Sequence, residues 1–244
     1  MGISYTFKRY EKKYLLKEEQ YQAIRERLKG KAETDSYGLT TICNIYYDTD
    51  DFYLIRESLE KPDYKEKFRV RSYGVLDGDS TVFLEIKKKY DGVVYKRRIS
   101  LSYNEAMNYL GKGIPPENKS QIFKEIDWLL NFYKAKPKVF IAYDRIAMYG
   151  VQDEELRITF DTAIRSRFED LDLAMGDSGR LLLPKGDYLM EIKAAGAMPL
   201  WLARTLSELE IMPVSFSKYG NVYKRKMTGC TPPELSENRI NFAV

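Results

Sequence analysis

The chain has 244 residues, 44% apolar and 31% charged, enough to bury a core as one large domain or two small ones. A net charge of +4 is too mild to indicate nucleic-acid binding. The absence of histidine excludes Ser-His-Asp, Cys-His and His-ligated zinc chemistry.

Residues 3–16 read as an opening strand and 17–29 as a helix, with Tyr21, Ile24 and Leu28 on one face and Gly30 as its stop. The run 41–48 predicts a strand, with Cys43 as a core filler, and 51–60 a short helix or turn. Strands recur at 64–74, 81–89 and 92–102, the last two joined at Tyr90-Asp91-Gly92, a hairpin signal. Helices are predicted at 103–112 and at 119–135, where Ile122, Ile126, Leu129, Leu130 and Tyr133 recur periodically. Strands resume at 138–149 and 155–162, and 170–186 reads as a loop or peripheral hairpin. A strand at 187–194 and a helix at 198–210 follow. No composition break divides the chain, which predicts a single domain over 1–229 and a C-terminal tail over 230–244. Two groups of strands with helices between them favour one antiparallel barrel over a parallel α/β sheet.

Other classes drop out along the way. Neither GxxxxGK[ST] nor GxGxxG occurs, so a P-loop and a Rossmann site are excluded. The two cysteines, Cys43 and Cys230, form no CxxC pair. No stretch approaches the ~18 apolar residues of a membrane span and the polar N-terminus has no signal-peptide core, so a cytoplasmic location is expected.

The strongest signal is charge placed two positions apart on strand-like segments: Glu11-Lys-Lys13, Arg69-Val-Arg71, Glu85-Ile-Lys87, Lys96-Arg-Arg98 and Glu191-Ile-Lys193. On a strand, residues i and i+2 share a face, so each segment aims its charges one way and Val70, Ile86 or Ile192 the other. Repeated in five segments, this predicts a sheet with one charged face. If the sheet closes, that face lines a tunnel for a polyanion.

The ordered segments Arg9-Tyr-Glu-Lys-Lys-Tyr-Leu15, Phe68-Arg-Val-Arg-Ser-Tyr-Gly74, Phe83-Leu-Glu-Ile-Lys87, Tyr143-Asp-Arg145, Leu156-Arg-Ile-Thr-Phe-Asp161, Leu189-Met-Glu-Ile-Lys193 and Phe216-Ser-Lys-Tyr219 resemble the VTC domain. This is the polyphosphate polymerase domain of the vacuolar transporter chaperone type, within the triphosphate tunnel metalloenzyme (CYTH-like) superfamily. The resemblance implies an α+β fold, an antiparallel β-barrel tunnel decorated with helices. It also implies transfer of the terminal phosphoryl of ATP onto a polyphosphate chain, with Mn²⁺ or Mg²⁺. A triphosphate hydrolase and a non-catalytic polyphosphate-binding barrel are the alternatives.

On this reading Arg69, Arg71, Lys87, Arg145 and Lys218 are the catalytic cations, and Lys13, Lys96, Arg98, Arg157 and Lys193 bind substrate phosphate. Glu191 is the metal carboxylate and Glu85 a second candidate; Glu85, Glu11 and Asp161 could equally hold Lys and Arg side chains in place. Arg9 stands where many tunnel enzymes have the first Glu of an ExExK signature, which argues against a two-metal hydrolase. The partners implied are ATP and polyphosphate, with a separate membrane protein as a candidate recipient. Nucleic acid is not expected, since there is no aromatic RNA-binding pattern and no basic tail.

Overall fold

In a computed structural model the described residues are 9–76, 80–117 and 119–229. The start of the predicted opening strand (3–8), Cys230 and the predicted tail lie outside them. The elements run β1 (Arg9–Leu16), α1 (Glu18–Leu28), β2 (Ala32–Asp48), α2 (Tyr53–Glu60), β3 (Tyr64–Tyr73), β4 (Thr81–Tyr90), β5 (Val93–Ser102), α3 (Tyr103–Lys112) and α4 (Gln121–Tyr133). They continue with β6 (Lys136–Gly150), β7 (Arg157–Arg167), β8 (Arg180–Leu181), β9 (Tyr188–Ala195), α5 (Leu200–Glu208), β10 (Pro213–Val214) and α6 (Lys218–Thr228).

The ten strands form one antiparallel sheet in the order β10-β1-β9-β7-β6-β2-β3-β4-β5, with β8 paired to β7. Asp91 and Gly92, both at positive φ, make the tight turn between β4 and β5, as a two-residue hairpin requires. Among the described residues no ladder joins β5 to β1 or β10, so hydrogen bonds do not close the sheet. It curls nonetheless: Lys96 Nζ of β5 comes within 3.9 Å of Glu11 Oε2 of β1, near the other end of the strand order.

Period-2 alternation sorts the side chains. The outer face of β1, β7 and β9 packs Tyr14, Ile158, Ile192 and neighbours under α1 and α5. The outer face of β2 to β6 packs Ile45, Phe68, Val70, Leu84 and Phe140 under α3 and α4. Buried side chains of this size each contribute about 1.5–3 kcal/mol, which makes the two helix-backed layers the main source of stability. A third cluster lies on the inner face, where Ile42, Ile141, Ile164 and Leu189 meet α2 and α6 through Ile55, Tyr219 and Val222.

Two elements, β2 and α6, depart most from the sequence reading, and β7 runs past its predicted end at 162 to Arg167. β2 begins at Ala32 instead of residue 41, because its first half is polar and mostly exposed and pairs with the far end of β6. α6 was not predicted. Its interior carries Gly220, a poor helix former, but Ser217 accepts from the Gly220 N–H at 3.1 Å and Gly229 at φ 66° ends the helix. Gly220 lets α6 approach α2: an added Cβ would lie 2.9 Å from Leu59 Cδ2.

Candidate active site

Inside the curl lies a cavity of about 450 Å³. Alternation on β3 sends Phe68 and Val70 outward, both fully buried, and Lys67, Arg69 and Arg71 inward. The same parity delivers Glu11 and Lys13 from β1, Tyr46 from β2, Glu85 and Lys87 from β4, and Lys96 and Arg98 from β5. It also delivers Tyr143 and Arg145 from β6, and Glu191 and Lys193 from β9. Lys218, in the first turn of α6, reaches in from the helix side. Among the described residues eleven cationic side chains line the cavity against three carboxylates; one of the eleven, Arg97, also pairs with Glu125 of α4.

Strand register explains how these like charges are tolerated. Arg69 faces Glu85 across the β3–β4 ladder, and Glu85 faces Arg98 across β4–β5. Glu85 accepts from Arg69 Nε at 2.7 Å and lies 2.6 Å from its Nη2, with Arg71 at 3.8 Å and Arg98 at 4.0 Å. Arg145 faces Asp161 across β6–β7 and grips it with both Nε (2.6 Å) and Nη2 (2.8 Å); Lys218 donates to the same carboxylate. Asp161 is 1% exposed. Burial alone would raise its pKa, but Lys218 and Arg145 outweigh it and hold the carboxyl at about 2. Glu191 is also held at about 2, burial being overcome by Lys193 and Lys13.

Neutral groups complete the grip. Tyr46 Oη accepts from Arg69 at 2.9 Å, Asn44 Oδ1 from Arg71 Nε at 2.9 Å, and Tyr143 Oη from Arg71 at 3.2 Å. The Tyr46 and Tyr143 phenols are lowered from their ordinary range: burial opposes this, but Arg69 acts on the first and Arg71, Arg145 and Lys218 on the second. Tyr219 stacks on Tyr46 at 4.7 Å and donates to Asp48 at 2.8 Å; Asp48 also accepts from the Leu54 and Ile55 N–H groups of α2.

The structure thus brings Arg69, Arg71, Lys87, Arg145 and Lys218 into one lining, together with Lys13, Lys96, Arg98 and Lys193. Arg157 is not in it. It is exposed at the start of β7, two same-face steps beyond Asp161, because parity fixes the face of a residue and not its depth along the strand. Lys67 was missed by the sequence reading, although Lys67-Phe-Arg69 merely extends the Arg69-Val-Arg71 alternation by one step. Its ammonium pKa is lowered to about 8, first by burial and then by Lys87, Lys65 and Lys13, against the opposing pull of Tyr46.

For a divalent cation, the described residues hold no cluster of three or more Asp, Glu or Cys side chains. Glu85 does not fit a metal, since guanidinium groups surround its carboxylate. Glu191 fits one ligand position: it is ionised, lines the cavity, and is paired only with flexible lysines. Mg²⁺ and Mn²⁺ sites of this kind draw their remaining ligands from phosphate oxygens and water.

Comparison with known proteins agrees with this geometry. Vacuolar transporter chaperone complex subunit 4 of Trypanosoma brucei brucei is 28% identical over 162 residues, covering 54% of this chain and 20% of that protein. The match therefore spans about a fifth of that relative's length. A solved structure from Bacillus halodurans, provisionally called an adenylate cyclase, aligns with TM-score 0.53 at 17% identity over 85% of this chain and 92% of its own. An adenylyl cyclase candidate from Hippeastrum, described with a dominant triphosphatase activity, aligns with TM-score 0.51 at 16% identity over 91% and 97%. At these identities the likeness is one of fold. The VTC domain family matches residues 8–226, and the chain belongs to it.

Proposed function

We propose that this VTC domain is a phosphotransferase that moves the terminal phosphoryl of ATP onto a polyphosphate chain within the cavity. The observation that supports it best is the convergence of Arg69, Arg71, Lys87, Arg145 and Lys218 on one cavity. Donor and acceptor are both polyanions, and two unit charges at 4 Å interact by roughly 4 kcal/mol at an effective dielectric near 20. Fixed cations offset that repulsion and stabilise charge on the transferring group. Asp161 holds Arg145 and Lys218 in place, and Glu85, Asn44 and the two tyrosines hold Arg69 and Arg71, so little reorganisation is needed when phosphate arrives. The accepting oxygen of a polyphosphate end is already anionic, so attack by it needs no general base. This suits a lining without histidine. Lys13, Lys96, Arg98 and Lys193 extend the phosphate track. Glu191 would hold Mn²⁺ or Mg²⁺, whose chemistry is to neutralise phosphate charge.

A second reading is hydrolysis of a short triphosphate. It is favoured by the inner apolar cluster, in which Phe216, Tyr219 and Val222 pack beside the cations and offer a long polyanion no charged partner there. The activity described for the Hippeastrum neighbour is in the same direction. A separate membrane protein that receives the chain, and a cytoplasmic location, belong to the polymerase reading. No helix among the described residues is long and apolar enough to cross a membrane. Incubation with ATP and Mn²⁺, with products resolved on a gel, separates the readings. A ladder of long chains supports the polymerase, orthophosphate alone supports the hydrolase, and no turnover with any triphosphate and metal removes both.

A further inference from the structure

Four lining lysines have an internal counter-ion: Lys13 with Glu11 and Glu191, Lys96 with Glu11, Lys193 with Glu191, and Lys218 with Asp161. Lys67 has none. Among the described residues no carboxylate and no hydrogen-bond acceptor is paired with it, although it lines the cavity. Its register partner across the β3–β4 ladder is Lys87, which makes no direct ion pair among the described residues and feels Glu11 and Glu191 only at longer range. Like charges directly opposite on antiparallel strands repel. The charged or titratable groups that face Lys67 are Tyr46 from β2, Lys65 on its own strand, Lys87 from β4 and Lys13 from β1, with Arg69 two residues along β3. Four of these five groups are cations. Tyr46 is already committed to Arg69.

A repulsive, desolvated pair in which one member, Lys67, has no carboxylate partner is destabilising unless something external neutralises it. We propose that Lys67 and Lys87 form a phosphate subsite whose counter-ion is the substrate itself, and that filling it draws a proton from the buffer onto Lys67. The inference rests on the phosphate-binding reading and adds to it a residue and a proton balance. In the empty cavity burial and the facing cations weaken the hold of Lys67 on its proton, so that it is only partly charged near pH 8. A phosphate oxyanion beside Lys67 reverses the local field, so the amine gains a proton and an N–H bond while the buffer loses one. Binding of phosphate polyanions then strengthens as pH falls from about 9 towards 7, beyond what the anion's own titration provides.

Titration calorimetry with tripolyphosphate, in buffers of differing ionisation enthalpy at pH 8, measures that proton directly. Wild type is expected to take up about half a proton more than Lys67→Arg, whose guanidinium is charged throughout. Equal uptake by the two proteins overturns the proposal. Lys67→Met is expected to bind tripolyphosphate at least tenfold more weakly. Without ligand it should melt higher than wild type, since a repulsive cation has been removed. A structural lysine would give a lower melting temperature, and unchanged affinity would likewise overturn the subsite. Failure of wild type to bind tripolyphosphate at all is a different result, which removes the phosphate reading and this inference with it.

Discussion

The inner face of the sheet has two halves built on the same strands. On β6, Ile141 and Arg145 point the same way; on β9, Leu189 and Glu191 do. One half is closed with Ile42, Ile141, Ile164 and Leu189 against Tyr219 and Val222, and the other holds eleven cations around open space. The apolar half excludes water from one side of the charged half, which strengthens every interaction there and raises the penalty for an unpaired charge. The cations are tolerated because carboxylates set by strand register hold them, and where register supplies no carboxylate like charges are left facing one another.

The largest effect is expected at Asp161. Asp161→Ala removes the shared partner of Arg145 and Lys218 and leaves two cations beside the apolar half. A loss of about 3–5 kcal/mol in urea unfolding is expected, with turnover gone. Asp161→Asn, which keeps the shape, should recover part of the stability and little of the activity. Glu85→Gln acts on the more open side of the cavity and should cost about 1.5–3 kcal/mol through its lost charged hydrogen bonds, with KM rising more than kcat falls.

Acid provides a graded version of the same test. Glu191 and Asp161 titrate near 2 in the folded chain, below the ordinary carboxylate range of the unfolded one. Their contribution is therefore complete above about pH 5 and is lost as pH falls through about 4 towards 2. Melting temperatures of wild type should drop across that window, and those of Glu191→Gln should drop less. The smallest effect lies in the apolar half: Ile141→Val should cost about 0.5–1.5 kcal/mol and leave tripolyphosphate affinity unchanged.

Much of this was legible from residue spacing. The charge pairs two apart named ten of the lining residues, because a strand turns a period of two into a single face. The Tyr90-Asp91-Gly92 turn fixed the register that sets Glu85 against Arg98. What escaped detection depends on distance along the sequence or on depth. Lys218 was named, but not the helix that carries it, whose apolar Tyr219 and Val222 become a pattern only against β2 and β6. Arg157 has the right face and the wrong depth, and the polar first half of β2 carries no strand signal until β6 pairs with it. Asp161 was named as an acid that could hold cations, but its partners Arg145 and Lys218 lie across a ladder and on a helix that spacing alone does not reveal.

Asp48 ties two helices that lie far apart in sequence. Its carboxylate takes the leading N–H groups of α2 and the hydroxyl of Tyr219, and Tyr219 immediately follows Lys218. The reach of that lysine is therefore latched from outside the chamber it serves. Slackening the latch would retract the lysine without altering any group that touches phosphate.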